Sequence, residues 1–274
     1  MTKAMSASEQ AESRPEKRIT DGAEPVPDGA AAAGRVPGIR AQLLGDFSLT
    51  CADAAVGDGN NRSHKVKSLL AYLICNQDRM VSIDELIRIL GNDRRDSAPI
   101  AALRTTLYRV RRAIEPIEQL AGVPLVVTKN GMYGWNPCVP VELDTARLEE
   151  LCLREAPEGP GRVDYYQSIL ELYRGDFLQN LATEHWVEPL AEHYRSLYLA
   201  AVQRAAPVFI EEGLLRETAD HCWRAISLSP YCEPLYRWLM RARSALGDSQ
   251  GAAEVYEQLR TLLYKDLGVM PEEE

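Results

Sequence analysis

A mainly α fold in two parts is predicted: a small three-helix module set between a short N-terminal β-sheet and a β-hairpin, followed by an all-α helical repeat. Three observations predict it. A basic amphipathic helix, Ser97 to Ile114 (SAPIAALRTTLYRVRRAI), is followed almost at once by the hairpin segment Leu125 to Trp135. Gly213 and Gly247 stand 34 residues apart in a long helical half. Charge divides with the two parts, 13 Lys and Arg against 10 Asp and Glu from Ile39 to Cys138, then 13 against 24 from Val139 to Glu274. A mildly basic unit followed by a strongly acidic one suits a nucleic-acid contact in the first and protein contacts in the second.

The first 38 residues mix Ser, Glu, Ala, Pro and Gly with few bulky side chains, a composition expected to be disordered. Ile39 to Thr50 (IRAQLLGDFSLT) alternates as strands do around a Gly-Asp interruption, and Val56 to Asn61 is rich in turn residues, so a small antiparallel sheet is expected. A first helix follows over about Ser63 to Cys75 with Val66, Leu69, Leu70 and Leu73 inward, and a second over Ser82 to Leu90. Ser82 and Glu85 have the spacing of a capping box, which defines the start of the second helix. Gly91 to Ser97 reads as a polar turn into the basic helix. Val126 to Thr128, Lys129-Asn130-Gly131 and Met132 to Trp135 read as strand, turn, strand, because Asn-Gly favours the tight turns of hairpins. Sheet, three helices and hairpin is the order of a winged helix-turn-helix.

On the basic helix, Ile100, Leu103, Leu107, Val110 and Ile114 are expected to form the buried stripe. The opposite stripe is Ala101, Thr105, Tyr108 and Arg112, flanked by Arg104, Arg109 and Arg111. No acidic residue occurs between Asp96 and Glu115, so that face is cationic and hydroxyl-bearing, as suits phosphates and base edges.

From about Glu142 the chain turns to long acidic helices. Besides the two glycines, Ala219 and Ala253, Cys222 and Tyr256, and Leu228 and Leu262 each stand 34 apart, each pair expected to hold the same role. A 34-residue period with a glycine between helices is that of tetratricopeptide-like units, which stack and bind proteins on their concave face.

The residues speak against several other classes. The histidines His64, His185, His193 and His221 are far apart and no nucleophile motif occurs, so an enzyme is not expected. The six cysteines are scattered without a C-x-x-C pair, which argues for reduced thiols and against a metal site. No apolar run approaches the ~20 residues of a membrane span and no secretory signal opens the chain, so a cytoplasmic protein without membrane partner or cofactor is expected. The rival reading is a helical-repeat adaptor that contacts only proteins.

The segments LLGDFSL, VSIDELI, TLYRVRRAI, GMYGW, VELDTARLEEL, YRGDFL, HWVEPL, AISLSPYCEPLYRWLMRARSALGD and VYEQLRTLLYKDLGVMP, in this order from about Ile39 to Pro271, resemble the SARP (Streptomyces antibiotic regulatory protein) family. In that family an OmpR-like winged helix precedes a bacterial transcriptional activator domain. The resemblance implies a tail at 1–38, a winged-helix DNA-binding domain at 39–138 and a tetratricopeptide-like activator domain at 139–274. It implies that Arg104, Thr105, Tyr108 and Arg112 face the major groove, with Arg109 and Arg111 near phosphates and Lys129 and Asn130 at the wing tip. Lys65 and Lys67, at the start of the first helix, are further phosphate candidates. The implied function is activation of transcription from double-stranded promoter DNA carrying direct repeats, with self-association on the DNA, recruitment of RNA polymerase and a place at the nucleoid. Two departures stand out: Ile89-Leu90-Gly91 lacks the tryptophan that members commonly carry before the glycine, and Pro99-Ile100 replaces an early basic residue of the third helix. No G-x-x-x-x-G-K-[ST] motif follows, as expected of a small, single-purpose member.

Overall fold

The computed structural model describes residues 38–52, 54–56, 64–91, 98–114, 117, 120 and 122–272. The expected disordered tail, most of the turn at Val56 to Asn61 and the turn after Gly91 lie outside the described residues. Strands β1 (Ile39–Gln42), β2 (Ser48–Cys51) and β3 (Ala54–Ala55) are followed by α1 (His64–Cys75), α2 (Ile83–Ile89) and α3 (Pro99–Ile114). The hairpin β4 (Val126–Lys129) and β5 (Met132–Trp135) comes next, then β6 (Val141–Leu143) and α4 (Asp144–Leu153). Helices α5 (Gly161–Leu172), α6 (Val187–Glu211), α7 (Leu215–Leu228), α8 (Glu233–Ala245) and α9 (Ser249–Leu267) complete the chain.

The sheet carries more than the expected antiparallel pairs. Its order is β3-β2-β1-β6, with β6 parallel to β1 in the register Ile39↔Val141 to Ala41↔Leu143. Parallel pairing needs a long crossover, and here the three-helix module and the hairpin supply it. Immediately after β6, the Asp144 carboxylate accepts hydrogen bonds from the backbone N–H of Leu43 and Leu44, each at 2.9 Å, and of Thr145 at 2.8 Å. Burial pushes this carboxyl above its ordinary value, against the pull of those N–H groups.

α1 is the central rod of the three-helix module. Val66 and all residues from Ser68 to Ile74 are buried, because α2, α3, β5 and a short 3₁₀ turn at Gln179–Leu181 surround it. The start of α2 corrects the capping-box expectation in one half. Ser82 Oγ accepts the Glu85 N–H at 3.2 Å as the box requires. The Glu85 carboxylate, however, is taken by the Tyr72 hydroxyl and by Arg79 Nη2 at 2.7 Å. A guanidinium and a phenol are stronger partners than one backbone N–H. Arg79 foremost, then Tyr72, holds Glu85 below its ordinary value.

The segment between α5 and α6 grips the β1–β2 turn. Gly45 N–H donates to Asp176 O at 3.0 Å, Leu178 N–H to Leu43 O at 2.7 Å, Gln179 N–H to Gly45 O at 3.0 Å and Phe47 N–H to Asn180 Oδ1 at 3.1 Å. Asp176 is anchored by Arg195 through two bonds of 3.1 and 2.8 Å and by the Tyr173 hydroxyl at 2.6 Å. Farther along, the Trp186 ring meets Tyr72 of α1 edge-on at 5.0 Å between centroids.

The repeat is visible in the caps. Gly213 ends α6 and Gly247 ends α8, both left-handed, with φ of 78° and 85°. Leu214 N–H reaches back to Phe209 O and Asp248 N–H to Arg243 O, so both helices close with the same Schellman motif. On the outer helix the expectation that paired residues hold the same role is met by Leu228 and Leu262, both half-buried, and fails for the other two pairs. Cys222 is buried but Tyr256 is exposed, and Ala219 is half-buried where Ala253 is exposed. α7 is packed by α6 and α8, whereas α9 packs on α8 only among the main helix contacts.

Candidate nucleic-acid interface

α3 turns Leu103, Thr106 and Val110 into the module, each 4% exposed or less, with Leu107 half-buried beside them. Ile100 is 50% exposed, a correction: the buried arc is centred on Leu103 and Val110, and Ile100 sits off that arc in the first turn. Thr106 occupies the buried arc in its place, its hydroxyl satisfied by Ala102 O at 3.0 Å. The side chain of Ile114 lies outside the described residues.

The outward face carries the predicted residues. Arg104, Thr105, Tyr108, Arg109, Arg111 and Arg112 are all exposed, Tyr108 at 61%. Ile100, Arg104, Tyr108 and Arg112, four apart, form one row along the helix, and Ala101, Thr105 and Arg109 form the next. Thr105 donates its hydroxyl to Ala101 O at 2.9 Å, which leaves its oxygen lone pairs available as acceptors toward solvent.

The hairpin is built as its sequence implies. Thr128 pairs with Tyr133 and Lys129 with Met132, leaving Asn130 and Gly131 as a two-residue turn with φ of 52° and 73°. Positive φ at both positions is the type I′ geometry that Asn-Gly serves best. Lys129 and Asn130 are exposed at its tip. The hairpin is tied to the helix-turn-helix by a two-bond bridge between Val81 and Tyr133, at 2.6 and 2.8 Å. Gly134 lies against Met80, where an added Cβ would stand 2.7 Å from the sulfur. A narrow crevice between α3 and the hairpin is lined by Leu107, Val110, Arg111, Leu125 and Tyr133. Helix and wing are thus one connected surface.

Lys65 and Lys67 are separated from one another. Lys65 is exposed and Lys67 half-buried, since residues two apart on a helix point in different directions. Near them, His64 Nδ1 lies 3.4 Å from Glu184 Oε1. Leu90, at the position where the resemblance leads one to expect a tryptophan, is a buried side chain, 4% exposed, at the end of α2.

The six cysteines are free thiols, and burial pushes Cys75 and Cys222 up to about 12. Such thiols are poor nucleophiles at neutral pH. Among the described residues no group of three His, Cys, Asp or Glu is arranged to hold a metal ion, and no helix is long and apolar enough to cross a membrane.

Residues 143–274 match the bacterial transcriptional activator domain family. The chain is 27% identical over 218 residues to the regulatory protein AfsR of Streptomyces coelicolor, covering 76% of this chain and 21% of AfsR. It is 26% identical over 246 residues to the transcriptional regulatory protein EmbR of Mycobacterium tuberculosis, covering 84% of this chain and 59% of EmbR. A solved structure of EmbR in complex with a low affinity phosphopeptide superposes with a TM-score of 0.61 at 22% identity, over 87% of this chain and 62% of that one, and shows the shared fold. The fold is thus a winged helix-turn-helix followed by a helical domain, and the relatives it matches are regulatory proteins. These matches agree with the resemblance to the SARP family. The chain spans about a fifth of AfsR and three-fifths of EmbR.

Proposed function

We propose that this protein is a sequence-specific DNA-binding transcriptional activator acting on promoter repeats in the cytoplasm, at the nucleoid. The division of labour follows the chain, with residues 39–138 reading DNA and residues 139–274 contacting a second protomer, RNA polymerase or both. The observation that carries this is the outward face of α3, where Arg104, Arg109, Arg111 and Arg112 stand exposed on one helix with Thr105 and Tyr108, beside a wing that exposes Lys129 and Asn130. The arginines supply salt-dependent phosphate affinity, and a bidentate contact such as Arg104 to guanine supplies ~1–3 kcal/mol of discrimination. Lys65 at the start of α1 is a flanking phosphate contact, and Lys67, half-buried, is a weaker one. The role is one of binding, without catalysis. The acidic second part is suited to protein partners rather than to DNA.

Fluorescence anisotropy against the protein's own upstream promoter DNA and a scrambled control, from ~50 to ~200 mM salt, tests this. Expected is tighter binding to the promoter, a steep loss with salt, and loss of binding in Arg104→Ala or Arg112→Ala. Absence of binding to either DNA at low salt by the folded protein refutes the reading and favours the adaptor.

A further inference from the structure

We propose that Ile100 reads the C5 methyl group of a thymine, giving this regulator a requirement for T beside the bases that Arg104 contacts. The inference rests on the DNA-binding reading above and adds to it a specificity-determining residue.

The first turn of α3 is chemically unlike the rest of its outward face. Ala98, Ile100 and Ala101 are exposed and Pro99 is half-buried, so every side chain presented there is apolar. No acidic residue occupies this turn. Pro99 also removes one of the backbone N–H donors that a helix start otherwise offers to an anion. In a helix-turn-helix, the N-terminal residues of the recognition helix are those that approach base edges. A turn without side-chain donors or acceptors cannot read the hydrogen-bonding pattern of guanine, cytosine or adenine in the major groove. The thymine methyl is the one apolar feature displayed there.

The placement of Ile100 fits that partner. It is a β-branched side chain with few rotamers, held half-exposed at 50% on a helix rather than on a loop. It heads the row that continues through Arg104, Tyr108 and Arg112, so a base touched by Ile100 neighbours one touched by Arg104. An exposed isoleucine is unfavourable in water, and covering it with a methyl group recovers part of that cost in the complex only. Burial of a single methyl-sized group is worth about a four-fold change in affinity.

The test uses the full chain and one promoter fragment made twice, with dTTP or with dUTP, so that the second copy lacks every C5 methyl but keeps its hydrogen-bonding pattern. Anisotropy is measured for the wild type and for Ile100→Ala, whose fold is checked by circular dichroism. The wild type is expected to bind the thymine fragment at least about four-fold tighter than the uracil fragment. Ile100→Ala is expected to bind the thymine fragment more weakly and to discriminate between the two copies less, by the same factor. Uracil also alters duplex stiffness, but that contribution persists in the variant and cancels in the comparison. Two results overturn the inference with DNA binding intact: equal wild-type affinity for both fragments, or undiminished discrimination by Ile100→Ala. Failure of the wild type to bind either fragment overturns the DNA-binding reading and this inference with it.

Discussion

Trp186 packs the segment before α6 against α1, and its replacement by Phe and by Ala separates two opposing contributions. The ring meets Tyr72 edge-on at 5.0 Å and Phe177 edge-on at 6.3 Å, while its Nε1 is buried without a hydrogen-bond partner. Each aromatic pair is worth about 0.5–1.5 kcal/mol beyond area burial, and a buried unpaired donor costs about 1–3 kcal/mol. Trp186→Phe removes the donor and keeps an aromatic ring at the contact, so the losses and gains offset to within about 1 kcal/mol. Trp186→Ala loses the ring as well. A fully buried Trp→Ala change costs about 3–5 kcal/mol, and for this half-buried residue about 3 kcal/mol is expected. Urea unfolding followed by far-ultraviolet circular dichroism, which does not depend on the altered tryptophan, measures both variants. Hydrogen exchange at Glu85 and Leu86 supplies a local readout, because Tyr72 also holds the Glu85 carboxylate. Exchange there is expected to quicken in Trp186→Ala and to stay near wild type in Trp186→Phe. Equal destabilisation by both substitutions refutes the reasoning, since the indole N–H would then be contributing rather than costing.

Two further outcomes follow from local chemistry. Glu85 lies below its ordinary 4.5, chiefly through Arg79, and Asp176 lies below its ordinary 3.8, where the Arg195 and Tyr173 hydrogen bonds outweigh the upward push of burial. Folded values below unfolded ones mean that their stabilisation is present above 4.5 and 3.8 and is lost as pH falls through the folded values. The urea midpoint is therefore expected to drop in that acid range, with a shallower pH dependence in Glu85→Gln and Asp176→Asn; an unchanged slope in both would show that these pairs do not govern acid stability. Gly131→Ala places a Cβ at φ 73° in the hairpin turn and is expected to cost about 1–2 kcal/mol, read as a lowered thermal midpoint. A neutral effect there would mean that the turn reshapes freely.

Much of the fold follows from local pattern. The three helices of the first module, the Asn-Gly turn and the 34-residue glycine spacing are periodic or turn signals carried within a few residues, and the structure contains each of them. The outward placement of Arg104, Tyr108 and Arg112 follows from the same periodicity. Ile100 departs from the expected buried stripe because periodicity marks an apolar residue without showing whether another element reaches it. The reverse error concerns Thr106, a polar residue whose burial depends on a hydrogen bond to its own helix. Glu85 shows how a correct local signal is overridden, since Arg79 and Tyr72 compete with the backbone for its carboxylate.

The sequence by itself determined the order of elements, the charge division and the cationic face of α3, because helix and hairpin periods are properties of neighbouring residues. Only the tertiary structure decided that β6 returns to β1, that Asp144 caps the Leu43–Leu44 turn and that the segment from Tyr173 to Trp186 grips the first module. Asp144 and Leu43 are 101 residues apart, and Asn180 and Phe47 are 133 apart. Contacts at such separations depend on how whole elements pack, and the sequence around either partner carries no period or spacing that marks them.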